Sequence, residues 1–280
     1  MKYREYKLSH KKIIIFFLTL LFLFAAFYNA LTVKNYILKT NKVSEAVKIV
    51  LITDLHSCFY GEEQARLIDK INEQKPDLIL MSGDIVDDVL PQAGTVSLLK
   101  GIADQYPCYY VSGNHEFWSG KIDSIKKMFE EYGVKVLSGT NETIRLNNQT
   151  ITVCGVDDPE VGAAVFDQQL ETALPSDHTN YTILLSHHPE LFKRYITLQC
   201  DLIVSGHAHG GQWRIPFILN GLIAPNQGFF PKYAGGLYRE NGRTMIVSRG
   251  LAKQSTRIPR IFNPPELVVI DLVPNQKESK

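Results

Sequence analysis

Five short stretches, each directly after an apolar, β-branched run, constrain the fold of this 280-residue chain more than any other feature. They are Asp54-Leu55-His56, Gly83-Asp84-Ile85-Val86-Asp87, Gly113-Asn114-His115-Glu116, Ser186-His187-His188-Pro189 and Gly206-His207-Ala208-His209. Each preceding run reads as a buried strand. The polar groups then fall at the carboxyl ends of parallel strands, where open α/β sheets carry their sites. Together the stretches supply Asp, His and Asn in the numbers needed to hold two divalent cations.

The rest of the chain fits that frame. Strands are expected at 47–53, 78–82 and 108–112, separated by helical spacing at 62–74 and 95–105. This alternation implies a parallel sheet with right-handed crossovers. A helix at 122–132 stops at Gly133, and runs 143–146 and 150–156 flank Asn147-Asn148-Gln149 as a hairpin. Short strands follow at 181–186, 202–205, 244–248 and 267–272. Residues 210–235, rich in Gly, Pro and aromatics, read as an extended loop over the site. No linker separates two domains, so the expectation is an α/β fold of two facing mixed sheets with helices outside.

Charge narrows the partners. Residues 1–45 hold eight Lys and Arg against two Asp and Glu, leaving 22 against 27 in the rest. The body is thus mildly acidic, with no basic run suited to a nucleic-acid partner. The four cysteines, Cys58, Cys108, Cys154 and Cys200, form no C-x-x-C pair, which argues against a structural zinc or dithiol redox site.

At the amino terminus, Lys2, Arg4, Lys7, Lys11 and Lys12 precede an apolar run from Ile13 to Val33. Such a run is long enough to cross a hydrocarbon core of roughly 30 Å. The expected organisation is a basic cytoplasmic segment (1–12), a transmembrane signal-anchor (13–33), a tether (34–46), a catalytic domain (47–272) and a polar tail (273–280). The positive cluster favours a cytoplasmic amino terminus and an extracytoplasmic body. The competing reading is secretion after signal cleavage; its best cut, after Ala30, has Tyr28 at the third position before it.

Carboxylate, imidazole and amide oxygen suit Mn, Fe, Zn or Co. Asp54-x-His56 alone is weak, because a buried Asp–His bond is an ordinary structural device. A carboxylate such as Asp84, directly after a buried strand, needs a charge partner. His207 and His209, two apart among glycines, form the strongest single element, since residues two apart in extended chain point the same way. The order D-x-H, G-D-x-x-D, G-N-H-E, H, G-H-x-H resembles the calcineurin-like metallophosphoesterases over residues 47–272. Gly155-Val156-Asp157-Asp158 and Ser248-Arg249-Gly250-Leu251 resemble their membrane-associated bacterial branch.

The resemblance implies a four-layer sandwich and a dinuclear centre. One metal would take Asp54, His56, Asp84 and His209; the other would take Asp84, Asn114, His187 and His207, with Asp84 bridging. His187 is preferred to His188 because the family pattern sets the ligand two residues before Pro. Two such cations lower the pKa of a shared water and clamp phosphoryl oxygens during in-line attack. His115 resembles the family's general acid, with Asp87 expected to accept from its other ring nitrogen; the alternative for Asp87 is a helix cap. Glu116 reads equally as a supporting or a surface charge, and Phe117 and Trp118 as pocket lining or core.

Phosphoprotein phosphatases of the family carry arginines where this chain has Asp88 and Ser112. Their loss favours a diester, or a monoester held by metals alone. The expected substrate is a phosphoester or pyrophosphate, with lipid or nucleotide-sugar phosphoesters such as UDP-diacylglucosamine implied by the resemblance. Arg257 and Arg260 could reach a phosphate, against the reading of a solvated loop. The alternatives are a phosphomonoesterase or phosphoprotein phosphatase, a metal-binding envelope module without catalysis, and an inactive regulatory homologue.

Overall fold

The computed structural model describes residues 10–253 and 258–275. Its elements run α1 (His10–Ala26), β1 (Thr32–Thr40), β2 (Val47–Ile52), α2 (Ala65–Gln74), β3 (Leu78–Ser82), α3 (Ala93–Ile102), β4 (Cys108–Val111), α4 (Asn114–Trp118), α5 (Ile122–Glu131) and β5 (Lys135–Val136). The second half continues β6 (Thr140–Leu146), β7 (Gln149–Gly155), α6 (Ala163–Thr172), β8 (Tyr181–Leu185), α7 (Phe192–Tyr195) and β9 (Leu202–Ser205). It closes with β10 (Ile223–Ala224), β11 (Gly228–Phe229), β12 (Gly236–Glu240), β13 (Arg243–Val247) and β14 (Glu266–Pro274).

Two six-stranded mixed sheets result, ordered β1-β14-β2-β3-β4-β5 and β12-β13-β9-β8-β7-β6. Within them β2, β3, β4 and β5 run parallel, as do β7, β8, β9 and β13. Period-two alternation builds the layers. Ile49 and Leu51 of β2 face a shared core with Val153, Ile183 and Val204 of the second sheet. Their neighbours Val50 and Ile52 face outward onto Leu67, Ile71, Leu98 and Phe129 of the helices. On the far side, Leu184 and Ile203 pack beneath Phe166, Phe192 and Tyr195. The expected order of helix, sheet, sheet, helix is therefore present, and so is the hairpin, as β6–β7.

The amino-terminal expectations need correction. Among the described residues no helix is long and apolar enough to cross a membrane. The helix expected over 13–33 ends at Ala26, 17 residues long. The expected tether is largely β1, which pairs parallel with β14 from Thr32↔Glu266 to Thr40↔Pro274. The reason is visible in the pairing: Val33, Tyr36 and Leu38 pack against the cores, while Lys34 and Lys39 belong to a sheet edge. An edge strand tolerates such charges. Residues 1–9, most of the tail 276–280 and Arg257 lie outside the described residues.

Candidate active site

All five stretches leave the carboxyl ends of parallel strands: β2 into Asp54, β3 into Asp84, β4 into Asn114, β8 into His187 and β9 into His207. Both sheets thus deliver ligands to one place. Close approach is enforced by Gly113, where a Cβ would lie 2.3 Å from Asp84 Oδ1, and by Gly206, where it would lie 2.4 Å from Asp54 Oδ2. Five of the candidate ligands adopt left-handed backbone: Asp54, His56, Asp84, His207 and His209, with φ from 46° to 64°. Each costs about 1–3 kcal/mol outside glycine, so the surrounding fold must overdetermine them.

Five groups of potential donor atoms form among the described residues, two of them wholly buried. Asp54, His56 and His209 make one, and Asp84, His187 and His207 the other. Asp84 lies between them, its Oδ2 3.7 Å from His56 Nε2 and 3.0 Å from His187 Nε2. Asp54 Oδ2, His56 Nε2, Asn114 Oδ1 and His209 Nδ1 are buried and make no hydrogen bond. Orphaned polar atoms at this density are costly unless they bind something. Burial, reinforced by His188 and His187, holds His207 well below the usual imidazole range, and burial with His56 beside it does the same to His209. Burial would raise the Asp84 carboxyl, but His187, His56 and His115 outweigh it and hold the group well below its usual value. For His207, His209 and Asp84 these are the states that ligation requires. Despite burial, the carboxylates of Asp84 and Asp87 hold His187 and His56, respectively, above the usual imidazole range, and burial raises the Asp54 carboxyl. The donor set fits two divalent ions.

His188 separates from His187. Its Nε2 lies 2.8 Å from Asp158 and its Nδ1 2.6 Å from Glu190, and with Glu190 and His207 it forms a further group of potential donors. Its ring stacks on His207 at 4.0 Å. His207 Nε2 also meets Asn226 Oδ1 at 3.3 Å. Asn226 was outside the sequence expectation, as no pattern in residues 210–235 marks it.

The rim differs from what the motif led us to expect. His115 Nδ1 meets Asp88 Oδ1 at 2.6 Å and lies 3.9 Å from Asp87 Oδ2. Asp87 instead meets His56 Nδ1 at 3.1 Å and accepts from Val89 N and Leu90 N. The turn after Asp87 brings Asp88 to His115, and Asp87, which closes that turn and caps no helix, bonds the His56 ring. Trp118 is exposed, its ring 4.9 Å from His115, so it belongs to the mouth and not the core. Arg260 is neither a phosphate ligand nor solvated: it is buried and donates to the carbonyls of Ala252 and Arg249.

Glu116 is the residue that sequence most undervalued. Fully buried, its carboxylate accepts from the backbone N–H groups of Asp84, Ile85, Val86 and Gly113 at 2.8–3.0 Å. It knits the loop after β3 to the loop after β4. Ser112, too, is structural: its Oγ donates to Asp157 at 2.8 Å, which Lys126 also pairs.

A family model for calcineurin-like phosphoesterases matches residues 47–211. The uncharacterized metallophosphoesterase of Aquifex aeolicus (strain VF5) is 29% identical over 251 residues, 86% of this chain and 92% of that protein. YkuE of Bacillus subtilis (strain 168), also an uncharacterized metallophosphoesterase, is 30% identical over 235 residues, 81% of this chain and 79% of its own. A Helicobacter pylori (strain J99) relative is 29% identical over 273 residues, 94% of this chain and 70% of that one. With the donor groups placed as the motif order requires, these likenesses make the chain a member of the calcineurin-like phosphoesterase family.

Proposed function

We propose that the chain is a metal-dependent phosphodiesterase that cleaves a phosphoester or pyrophosphate, of lipid or nucleotide-sugar type, at a membrane surface. The observation that carries this reading is the pair of buried donor groups with Asp84 Oδ2 reaching toward both, and His115 on the rim beside them. Asp54, His56, Asp84 and His209 would hold one ion, and Asp84, Asn114, His187 and His207 the other; Mn, Zn, Fe and Co all suit these donors. Two bound divalent ions supply an acidified water and positive charge for the phosphoryl oxygens.

The chain's own residues supply the remainder. Asp88 holds His115 through Nδ1, which leaves Nε2 to give a proton to the departing alkoxide. Glu116 fixes the loop that carries Asp84. The rim favours a diester: Asp88 occupies the place of one phosphate-binding arginine and Ser112, tied to Asp157, the other. Without guanidinium groups, a singly charged diester is accommodated better than a doubly charged monoester.

Helix α1 supports the membrane reading. Ile14 through Phe24 carry large apolar side chains on every face, and only Ala26 is buried. A helix apolar all round seeks an apolar medium. Lys11 and Lys12 at its start add positive charge suited to an anionic headgroup layer.

The test is hydrolysis of bis-p-nitrophenyl phosphate and p-nitrophenyl phosphate by the full chain, stripped with chelator and reloaded with Mn. Manganese-dependent diester cleavage, faster than monoester cleavage and lost in His115→Ala, is the expected result. Metal binding without turnover on either ester would sink the proposal.

A further inference from the structure

Arg214 stands at the root of a turn that reaches the base of α1. Its N–H donates to Ile261 O at 2.9 Å, and Phe262 donates its own N–H to Ala26 O at 2.7 Å. The Phe262 ring meets Phe22 of α1 edge-on at 5.4 Å. One short segment, 261–262, therefore seats both the end of the apolar helix and the turn. Between them runs a groove of about 480 Å³ with Phe217, Ile218 and Phe262 on its walls and Arg214 and Arg249 within it. An adjoining depression shares both arginines and adds Lys34 and Glu266.

The groove is two-natured. Phe217 is fully exposed and Ile218 82% exposed, so nothing in the body covers the apolar end. At the other end three cations face one carboxylate. Arg249 Nε is bonded to Glu266 Oε2 at 2.5 Å. Neither Arg214 nor Lys34 takes part in an ion pair among the described residues; Arg214 donates to Asn220 Oδ1 at 2.5 Å, and Lys34 Nζ lies over the Tyr36 ring. Burial and the like charge of Arg249 pull Arg214 below the usual guanidinium range, and the attraction of Glu266, already bonded to Arg249, only partly offsets them. An apolar wall continuous with a lipid-seeking helix and an excess of positive charge beside it together match one ligand class.

We infer that this groove binds an anionic phospholipid of the bilayer that takes up α1, its phosphate at Arg214, Arg249 and Lys34 and an acyl chain against Phe217, Ile218 and Phe262. The inference rests on the membrane reading given above. A free phosphate would leave the apolar wall unused, and a zwitterionic lipid would leave the charge excess uncompensated. Residues 27–31 are all that separate α1 from β1, so the groove is held at the bilayer surface. Arg214 Nη1 also lies 3.5 Å from Gly210 O, the neighbour of ligand candidate His209, so the lipid would set the orientation of the site's own segment.

The chain has two tryptophans, and Trp118→Phe leaves Trp213, next to Arg214, as the reporter. This full-length variant would be placed in phosphatidylcholine vesicles containing brominated phosphatidylglycerol or, at equal mole fraction, brominated phosphatidylcholine. Stronger quenching of Trp213 by the brominated phosphatidylglycerol is expected. Arg214→Gln should reduce that preference about fivefold, the worth of one cation near a charged surface, and Phe217→Ser should weaken quenching by both lipids. Equal quenching by the two lipids would overturn the inference, as would relief of quenching by millimolar inorganic phosphate. The same vesicles, prepared with Trp118 intact, report diester hydrolysis and flotation. Hydrolysis and flotation without lipid preference would remove the groove alone; failure to float would remove the membrane reading with it.

Discussion

The floor and the rim of the site are built by opposite means. On the floor, Asp54, Asp84, Asn114 and His187 are at most 3% exposed, and backbone N–H groups hold what they touch. His115 N donates to Asp84 Oδ1, His207 N to Asp54 Oδ1, and Glu116 gathers four more amides. At the rim, His115, Asp88 and Trp118 are partly or largely exposed and held by side chain on side chain. The difference teaches where fold and reaction can be separated. A change in the floor disturbs loops that the fold depends on; a change at the rim disturbs turnover alone.

Asp84→Asn is the strongest test, since Asp84 lies between the two donor groups. Hydrolysis should be abolished and metal content should fall for both ions, read by atomic absorption after gel filtration; full loading of both ions would break the comparison. His115→Ala should lower kcat about 10²–10⁴-fold with metal content and thermal midpoint unchanged, and a shifted midpoint would place it with the floor. Glu116→Gln replaces a two-oxygen acceptor by a single amide oxygen at four buried N–H groups. It should cost about 2 kcal/mol of stability by urea denaturation, with loss of metal affinity following.

Asp88→Asn should lower kcat about tenfold, the usual scale for removing the partner of a working imidazole, leaving KM and stability in place. Asp87→Asn, by contrast, should reduce metal affinity through His56. If the two variants exchange these phenotypes, the assignment of partners is reversed. The smallest effect concerns the thiols. Cys108, Cys154 and Cys200 are buried, with desolvation pushing each thiol up to about 12. They should resist alkylation at pH 8 in the folded protein and react fully only in denaturant.

The sequence makes the floor legible because strand ends and ligand identities are both local signals. Asp54, His56, Asp84, Asn114, His187, His207 and His209 could be listed from motif order, and the two-sheet architecture from runs such as 78–82 and 202–205. What local signals omit is the partner. Asp87 and Asp88 are adjacent, and only the turn after β3 decides which one reaches His115. Glu116 reads like any helical surface acid until the loop that wraps it is in place. Strand β1 was invisible for the same reason: Lys34, Asn35 and Lys39 read as a tether unless β14, more than 200 residues later, is there to pair with them.

That pairing carries a consequence for how the protein is made. Among the described strands β1 is made first and β14 last, and one edge of β2 also waits for β14. The first sheet therefore cannot close until β14 has been made. Such contacts, distant in sequence, form late and slowly. Helix α1 is joined to the same late event, because Phe262, just before β14, donates to Ala26 O and meets the Phe22 ring.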